Sequence, residues 1–246
     1  MRRRRIPEVM DDPGLDRDAH AAALRSLART NRWLGGDRAV ERAVQSVAGG
    51  PEPSVLDIGT GAGGLLDRIA HRKNVPDGRH TMMGTREPAA DRPLLIGTDL
   101  SPQALALARD WGAGAIRWLC ADARALPLPD ESIDVVTCTL TLHHLDPPDA
   151  VRMLREAGRV CRLGIVFSDL TRSRTAWLAT WCVTRLVSRS RVFRIDGPRS
   201  VRAAYDVHEM AELARQAGLV DASIRRQFPF RMLLTWQKTR AGESRA

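Results

Sequence analysis

The stretch SVLDIGTGAGG, residues 54–64, runs from an apolar segment into a glycine-rich turn. Two patterns overlap in it. Gly59, Gly61 and Gly64 match G-x-G-x-x-G, while Asp57, Gly59, Gly61 and Gly63 match acid-x-G-x-G-x-G. Both predict a strand, a tight turn and a helix, with backbone N–H groups approaching a ligand where no Cβ intervenes. Asp57 separates them. A pyrophosphate seated on the turn would meet a carboxylate two residues before the first glycine and be repelled. A ligand carrying an ammonium group would be attracted.

The flanking sequence sets this turn in a larger pattern. Ser54–Ile58 predicts the first strand and about 64–71 its following helix. LLIGTDL (94–100) predicts a second strand ending at Asp99, then a helix with Ser101 as cap and Pro102 at its first position. AIRWLCADA (115–123), SIDVVTCTLTL (132–142) and LGIVFSDL (163–170) supply three more strands. DPPDAVRMLREAGRV (146–160), SRTAWLATWCVTRLVSRS (173–190) and DVHEMAELARQAGL (206–219) have helical spacing. Asp146 is placed to cap the first of these, and Gly218 to stop the last. VDASIRRQFPF (220–230) and RMLLTWQKT (231–239) predict a closing hairpin. Two helices, over about 16–35 and 37–47, precede the first strand, behind a loose basic arm at 1–7. Residues 73–93, rich in Pro and Gly, read as a loop.

Strands alternating with helices predict an α/β, doubly wound, mostly parallel seven-stranded sheet, in which ligands bind at the carboxyl ends of the strands. The expected division is an N-terminal arm and helices (1–50), a cofactor-binding core (51–170), a helical cap (171–205), and a C-terminal helix and hairpin completing the sheet (206–246).

Composition suits a globular chain with a sizeable core, at 43% hydrophobic and 27% charged. The formal net charge is +9, but all basic residues except Lys73 and Lys238 are arginine. Codon bias accounts for such a skew, so no nucleic-acid partner is expected. The start, MRRRRIPEVMDDP, lacks the apolar segment of a secretory signal, and the apolar run at 175–183 is too short to span a bilayer. The expectation is a cytoplasmic protein. Three of the four cysteines (Cys120, Cys138, Cys161, Cys182) read as buried small hydrophobes. No metal-ligand cluster is legible in the spacing.

S-adenosylmethionine (SAM) carries an ammonium group and no phosphate, and so answers the question Asp57 poses. Asp99 is placed to accept two hydrogen bonds from ribose hydroxyls, and Asp122 one from an adenine amino group. With these assignments made, VLDIGTGAGG, IGTDLS, CADARALPLPDESIDVV and LTLHHLDPPDAVRMLREAGRV resemble the successive motifs of class I SAM-dependent methyltransferases. The similarity is greatest to the branch acting on quinones and other small molecules. It covers roughly residues 50–170, and YDVHEMAELARQAGL resembles the family's later helix. Two departures stand out: the insertion at 73–93, and RVCRLGIVFSDL, which lacks the usual Pro-Gly-Gly turn.

The resemblance implies a Rossmann-like fold, SAM as cofactor, and cofactor contacts by Asp57, Ile58, Gly59, Thr60, Gly61, Asp99, Leu100, Asp122, Ala123 and Thr139. It implies a small apolar or aromatic acceptor. A hydroxyl acceptor needs a base, and His144 and Asp169 are the base candidates in similar O-methyltransferases, with His143 a third. Adjacent histidines are expected to point apart, so only one would face the acceptor. C- or N-methylation, a nucleotide-dependent oxidoreductase and a non-catalytic binding module remain open alternatives. DPPD at 146–149 lacks the aromatic residue of nucleic-acid amino-methyltransferases and reads as a helix start. The apolar stripe of Trp177, Leu178, Trp181, Leu186 and Val187 reads as core, dimer contact, substrate lid or membrane-surface helix.

Overall fold

The computed structural model describes residues 1–50, 52–72, 93–112 and 114–239. Apart from Pro93, the expected loop at 73–93 lies outside them. Seven strands form one sheet: β1 Val55–Ile58, β2 Leu95–Asp99, β3 Ile116–Cys120, β4 Ile133–Thr139, β5 Cys161–Leu170, β6 Ser223–Gln227 and β7 Arg231–Gln237. Their order is β3-β2-β1-β4-β5-β7-β6. All neighbours are parallel except β7, which runs antiparallel to both β5 and β6. The chain winds outward from β1 to β3, then returns to lay β4 on β1's other side. The carboxyl ends of β1 and β4 therefore flank the switch in strand order, where open α/β sheets bind ligands.

Eight helices cover the sheet among the described residues: α1 Arg17–Trp33, α2 Gly36–Ala48, α3 Gly64–Arg72, α4 Pro102–Trp111, α5 Pro147–Val160, α6 Arg174–Val187, α7 Arg191–Ala203 and α8 Val207–Gln216. The central strands are apolar on both faces because helices lie on both. On one face α5 buries Ala150, Met153, Leu154, Ala157 and Val160, a stripe at helical spacing, against Leu56, Val136 and Ile165. On the other, Val40 and Val44 of α2 and Leu66 and Ile69 of α3 pack on Val55 and Val135. Each fully buried large side chain contributes roughly 1.5–3 kcal/mol. None of the described helices is long and apolar enough to cross a membrane.

The cap expected at 171–205 is helical, formed by α6 and α7, the second running through Gly197 and Pro198. Three expectations need correction. The N-terminal arm is docked rather than loose: Arg4 N donates to Arg202 O at 2.9 Å. Asp146 stands at the cap position of α5 without capping it, its carboxylate being taken by Arg5 at 2.8 and 3.0 Å. Only Cys138 and Cys161 are buried; Cys120, on edge strand β3, is exposed, and Cys182 is half-buried.

Candidate active site

The glycine turn follows β1 directly. Gly59 (φ 65°) and Gly61 (φ 52°) hold left-handed backbone that favours glycine. Their surroundings differ. A Cβ on Gly59 would strike the Thr141 side chain, whereas one on Gly61 would meet only Leu24 Cδ2 at 3.5 Å. Space at Gly61 is thus left for something other than protein. Asp99, ending β2, accepts from Gly61 N and Ser101 N, both at 2.9 Å, one on each carboxylate oxygen. This ties the first two loops together and leaves each oxygen a further lone pair for a ligand hydroxyl. Leu100, next in the chain, is 68% exposed, an apolar surface at the sheet's binding edge.

Toward the switch point the cradle becomes deeper and more polar. Ile58 and Asp57 are buried. Asp57 accepts from Thr137 Oγ1 at 2.8 Å. Burial pushes its carboxyl up to about 7, with Asp37 and Asp99 adding to the shift against the hydrogen bonds. Arg231, at the start of β7, is buried too; its Nη2 donates to Asn31, while Nη1 has no partner. Burial draws this guanidinium below its ordinary range, against the pull of Asp37 and Asp169. Thr139 Oγ1, ending β4, is likewise buried without a partner. A buried carboxyl beside the glycine turn suits a ligand ammonium, and the Asp99–Leu100 edge suits a nucleoside; Arg231 adds a buried cation with a spare N–H, close to Asp37 and Asp169. The residues present fit SAM.

Asp122 fits less directly. It lies two residues beyond β3, and both of its oxygens are clasped by Arg124, at 2.7 to 3.1 Å. That ion pair holds its carboxyl below the ordinary range. Arg124 also reaches Asp149 at 2.9 Å. An adenine amino group would share Asp122 with a guanidinium. Ala123, beside it, packs on the core edge.

Beyond β4, Leu142–His144 form one 3-10 turn. Thr141 Oγ1 shares its one proton between Thr139 O at 3.2 Å and Gly59 O at 3.3 Å, and its side chain packs against Gly59, joining this turn to the glycine cradle. Asp169 near the end of β5 faces the same turn, but it engages His143, not His144: Nδ1 lies 2.7 Å from Oδ1 and the backbone N 3.0 Å from Oδ2. His144 pairs instead with Asp11, at 3.0 Å. Nor do the two rings diverge, as their centroids lie 4.4 Å apart. Successive side chains in a 3-10 turn are only about 120° apart, unlike the opposed pair of a strand.

The group on which both imidazoles converge comes from the arm. Glu8 sits 3.4 Å from His143 Nε2 and 3.9 Å from His144 Nε2, and accepts from Ser200 Oγ at 2.5 Å. Neither Glu8 nor Asp11 was legible as a site residue, since nothing in a basic arm signals where it docks. The arm is held by Asp196 of α7, whose two oxygens accept from Val9 N and Met10 N at 2.9 Å. Arg3 donates to Leu145 O at 2.8 Å and Ala203 O at 2.7 Å.

Buried charge dominates this cluster. Burial works against protonated His143, but Asp169 and Glu8 outweigh it and push the imidazole up to about 10. Burial likewise raises Asp169 and Glu8, and the histidines overcome it, leaving both carboxyls below their ordinary range. The cap helix touching this turn is α7; α6 packs on α7 and leaves Leu178, Trp181 and Leu186 exposed. Of the 171–205 segment, the element packed on the histidine turn is α7, beside the arm.

Comparison with known proteins agrees with this architecture. Residues 56–167 match the family model described as a methyltransferase domain. A demethylmenaquinone methyltransferase of Roseiflexus castenholzii is 29% identical over 207 residues, spanning 78% of this chain and 79% of that protein. A malonyl-[acyl-carrier protein] O-methyltransferase of Hahella chejuensis is 26% identical, over 83% of this chain and 65% of its own. The plantazolicin methyltransferase BpumL, solved with a substrate analogue and S-adenosylhomocysteine, superposes with a TM-score of 0.63 at 15% identity, over 91% of each chain. Residues 56–167 thus match a methyltransferase domain, and the sheet has the fold of solved SAM-dependent methyltransferases. Its cofactor is SAM.

Proposed function

We propose that this enzyme methylates a hydroxyl oxygen of a small, apolar or aromatic acceptor held between the glycine cradle and the His143–His144 turn. The single observation carrying this reading is the Thr141–Gly59 contact, because it fixes the cofactor turn against the turn bearing both imidazoles. Bound SAM supplies an electrophilic methyl group on a sulfonium. Asp57 and Arg231 would receive its ammonium and carboxylate, Asp99 its ribose, and Leu100 and Ala123 would flank its base, with Ile58, Thr60, Gly61 and Thr139 lining the passage between. The protein's own work is then to align the acceptor, exclude water and accommodate the hydroxyl proton. His143 is fixed by Asp169 and His144 by Asp11, each with its Nε2 turned toward Glu8. His143 is held protonated between two carboxylates, which leaves His144 as the base candidate, and a polar turn of this kind favours oxygen over carbon. The relative named for demethylmenaquinone supports the aromatic acceptor class, and the one named a malonyl-[acyl-carrier protein] O-methyltransferase supports oxygen as the methylated atom.

The test is product formation from isotope-labelled SAM with a panel of phenols, hydroquinones, carboxylic acids and amines. Label transferred to a phenol or hydroquinone oxygen is the expected result. Transfer only to carbon or nitrogen would overturn the O-methyl reading, and SAM binding without any transfer would favour a non-catalytic module.

A further inference from the structure

The Glu8–His143–His144 cluster has more than the parts of an acid–base pair. We propose that these three residues form a binding site for one divalent first-row transition-metal ion, which goes beyond the methyl-transfer reading and does not depend on it. One donor atom from each residue lies within 4.8 Å of the other two. Donors around a cation at about 2.1 Å stand roughly 3.4 Å apart in a tetrahedron. Glu8 Oε1 stands at this separation from His143 Nε2, 3.4 Å, while Oε2 is 3.9 Å from His144 Nε2, so the carboxylate meets the two imidazoles with one oxygen each and a small rotamer adjustment draws the donors onto one ion. A cavity of about 10 Å³, the size of a single water or ion, opens between Glu8, His143, His144 and Asp11.

The outer partners strengthen the inference. A metal-bound imidazole donates its other N–H to a carboxylate or carbonyl, which fixes its orientation and raises its basicity. Both histidines have this arrangement: His143 Nδ1 is on Asp169 and His144 Nδ1 on Asp11, which turns each Nε2 toward Glu8. Charge points the same way. Three carboxylates, Glu8, Asp11 and Asp169, surround two imidazoles that are neutral when they ligate. Arg5, the nearest guanidinium lining the cavity, is turned onto Asp146 and His144 O. A dication offsets the excess of negative charge in a buried place. Two nitrogens and one oxygen select Zn²⁺, Co²⁺, Fe²⁺ or Mn²⁺ over the hard, oxygen-seeking Mg²⁺ and Ca²⁺. Three protein ligands also leave coordination positions open, the arrangement of reactive rather than purely structural sites. An acceptor oxygen is the class of ligand that would fill one. Glu8 comes from the N-terminal arm, so the ion would also pin the arm over the site.

The experiment uses the untagged full-length chain, stripped with a chelator and titrated with Co²⁺ without SAM or acceptor. A visible d–d absorption band reaching one ion per chain is expected. It should be lost or weakened at least tenfold in affinity in Glu8→Gln and in His144→Asn. Mg²⁺ should not displace the ion, and Zn²⁺ should. Absence of a band in the wild-type chain would overturn the proposal, as would undiminished binding in both variants, which would place the ion elsewhere. SAM affinity, measured in parallel by calorimetry, reports a folded cradle. Its loss in the wild-type chain would tell against the methyl-transfer reading and leave the metal result standing.

Discussion

The Asp169 carboxylate receives both the ring Nδ1 and the backbone N of His143, at 2.7 and 3.0 Å, with all partners buried. One side chain from β5 thereby sets the position of the turn that follows β4. Asp169→Asn keeps the shape but removes the charge facing the imidazole. We expect turnover to fall by one to two orders of magnitude with SAM affinity within about twofold. Because removing one partner of a buried ion pair costs about 3 kcal/mol or more, the melting temperature should also drop. Full activity with a lowered melting temperature would reduce Asp169 to a structural role.

Asp57 predicts a pH signature. Its carboxyl lies near 7 in the folded chain without ligand, against an ordinary 3.8. The folded state then binds more protons than the unfolded one between roughly pH 4 and 7, so stability falls as pH rises through that window and levels off above it. The span amounts to roughly 4 kcal/mol at most. An ammonium placed beside Asp57 favours the ionised form, so SAM affinity should rise from pH 6 to pH 8. Asp57→Asn should flatten both profiles. A SAM dissociation constant independent of pH over this range in the wild-type chain would remove Asp57 from the cofactor's ammonium.

Asp99 and Gly61 test the nucleoside end. Asp99→Ala should weaken SAM binding by roughly 1.5–3 kcal/mol, through lost charge-assisted bonds. Gly61→Val should abolish it by filling the cradle, since its Cβ meets only Leu24 at ordinary contact distance. The left-handed backbone adds about 1–2 kcal/mol of strain, so the fold should survive with a lowered melting temperature. SAM binding retained in Gly61→Val would mean that the ligand does not approach this turn.

Arg231 offers a separation of stability from binding. It is a buried cation with one unpartnered N–H and no carboxylate hydrogen-bonded to it among the described residues. An apolar residue of similar length in such a place is often neutral or stabilising. Arg231→Met should therefore leave the ligand-free melting temperature unchanged or raise it, while SAM affinity falls at least tenfold. A large destabilisation with normal SAM affinity would make Arg231 a packing residue.

The local grammar of the chain carried most of the fold. Glycine turn, Ser101–Pro102 helix start, apolar strands and the Gly218 stop are short-range signals, and each stands where its physics places it. The candidate site was legible only where its residues lie at or next to strand ends, as with Asp57, Asp99 and Asp169. The pairing of Asp169 with His143 was not legible, because a 3-10 turn decides which histidine faces β5 and no spacing rule encodes that. Glu8, Asp11 and Arg231 reach the site through tertiary docking. Their neighbours in sequence say nothing of a buried partner. Helix α7, within the expected helical cap, runs through Gly197 and Pro198 because packing overrides their breaking tendency: a Cβ on Gly197 would crowd Thr184 of α6.

The docking of the arm rests on Asp196, and this gives the last prediction. Both of its oxygens accept backbone N–H groups of the Val9–Asp11 turn, and the carboxylate is itself buried in α7. Asp196→Ala removes two charge-assisted bonds, each typically contributing about 1.5–3 kcal/mol. The arm retains Arg3 on Leu145 O and Ala203 O and Arg5 on Asp146, so it should loosen rather than detach. Trypsin should then cut within Arg2–Arg5 several times faster than in the wild-type chain, with the core untouched. Glu8 and Asp11 would lose their registration against His143 and His144, so turnover or acceptor KM should suffer while SAM affinity holds. Asp196→Asn, which keeps one acceptor oxygen, should fall between. Unaltered proteolysis in Asp196→Ala would mean that the arginines alone hold the arm, and unaltered kinetics with a freed arm would separate the arm from the chemistry.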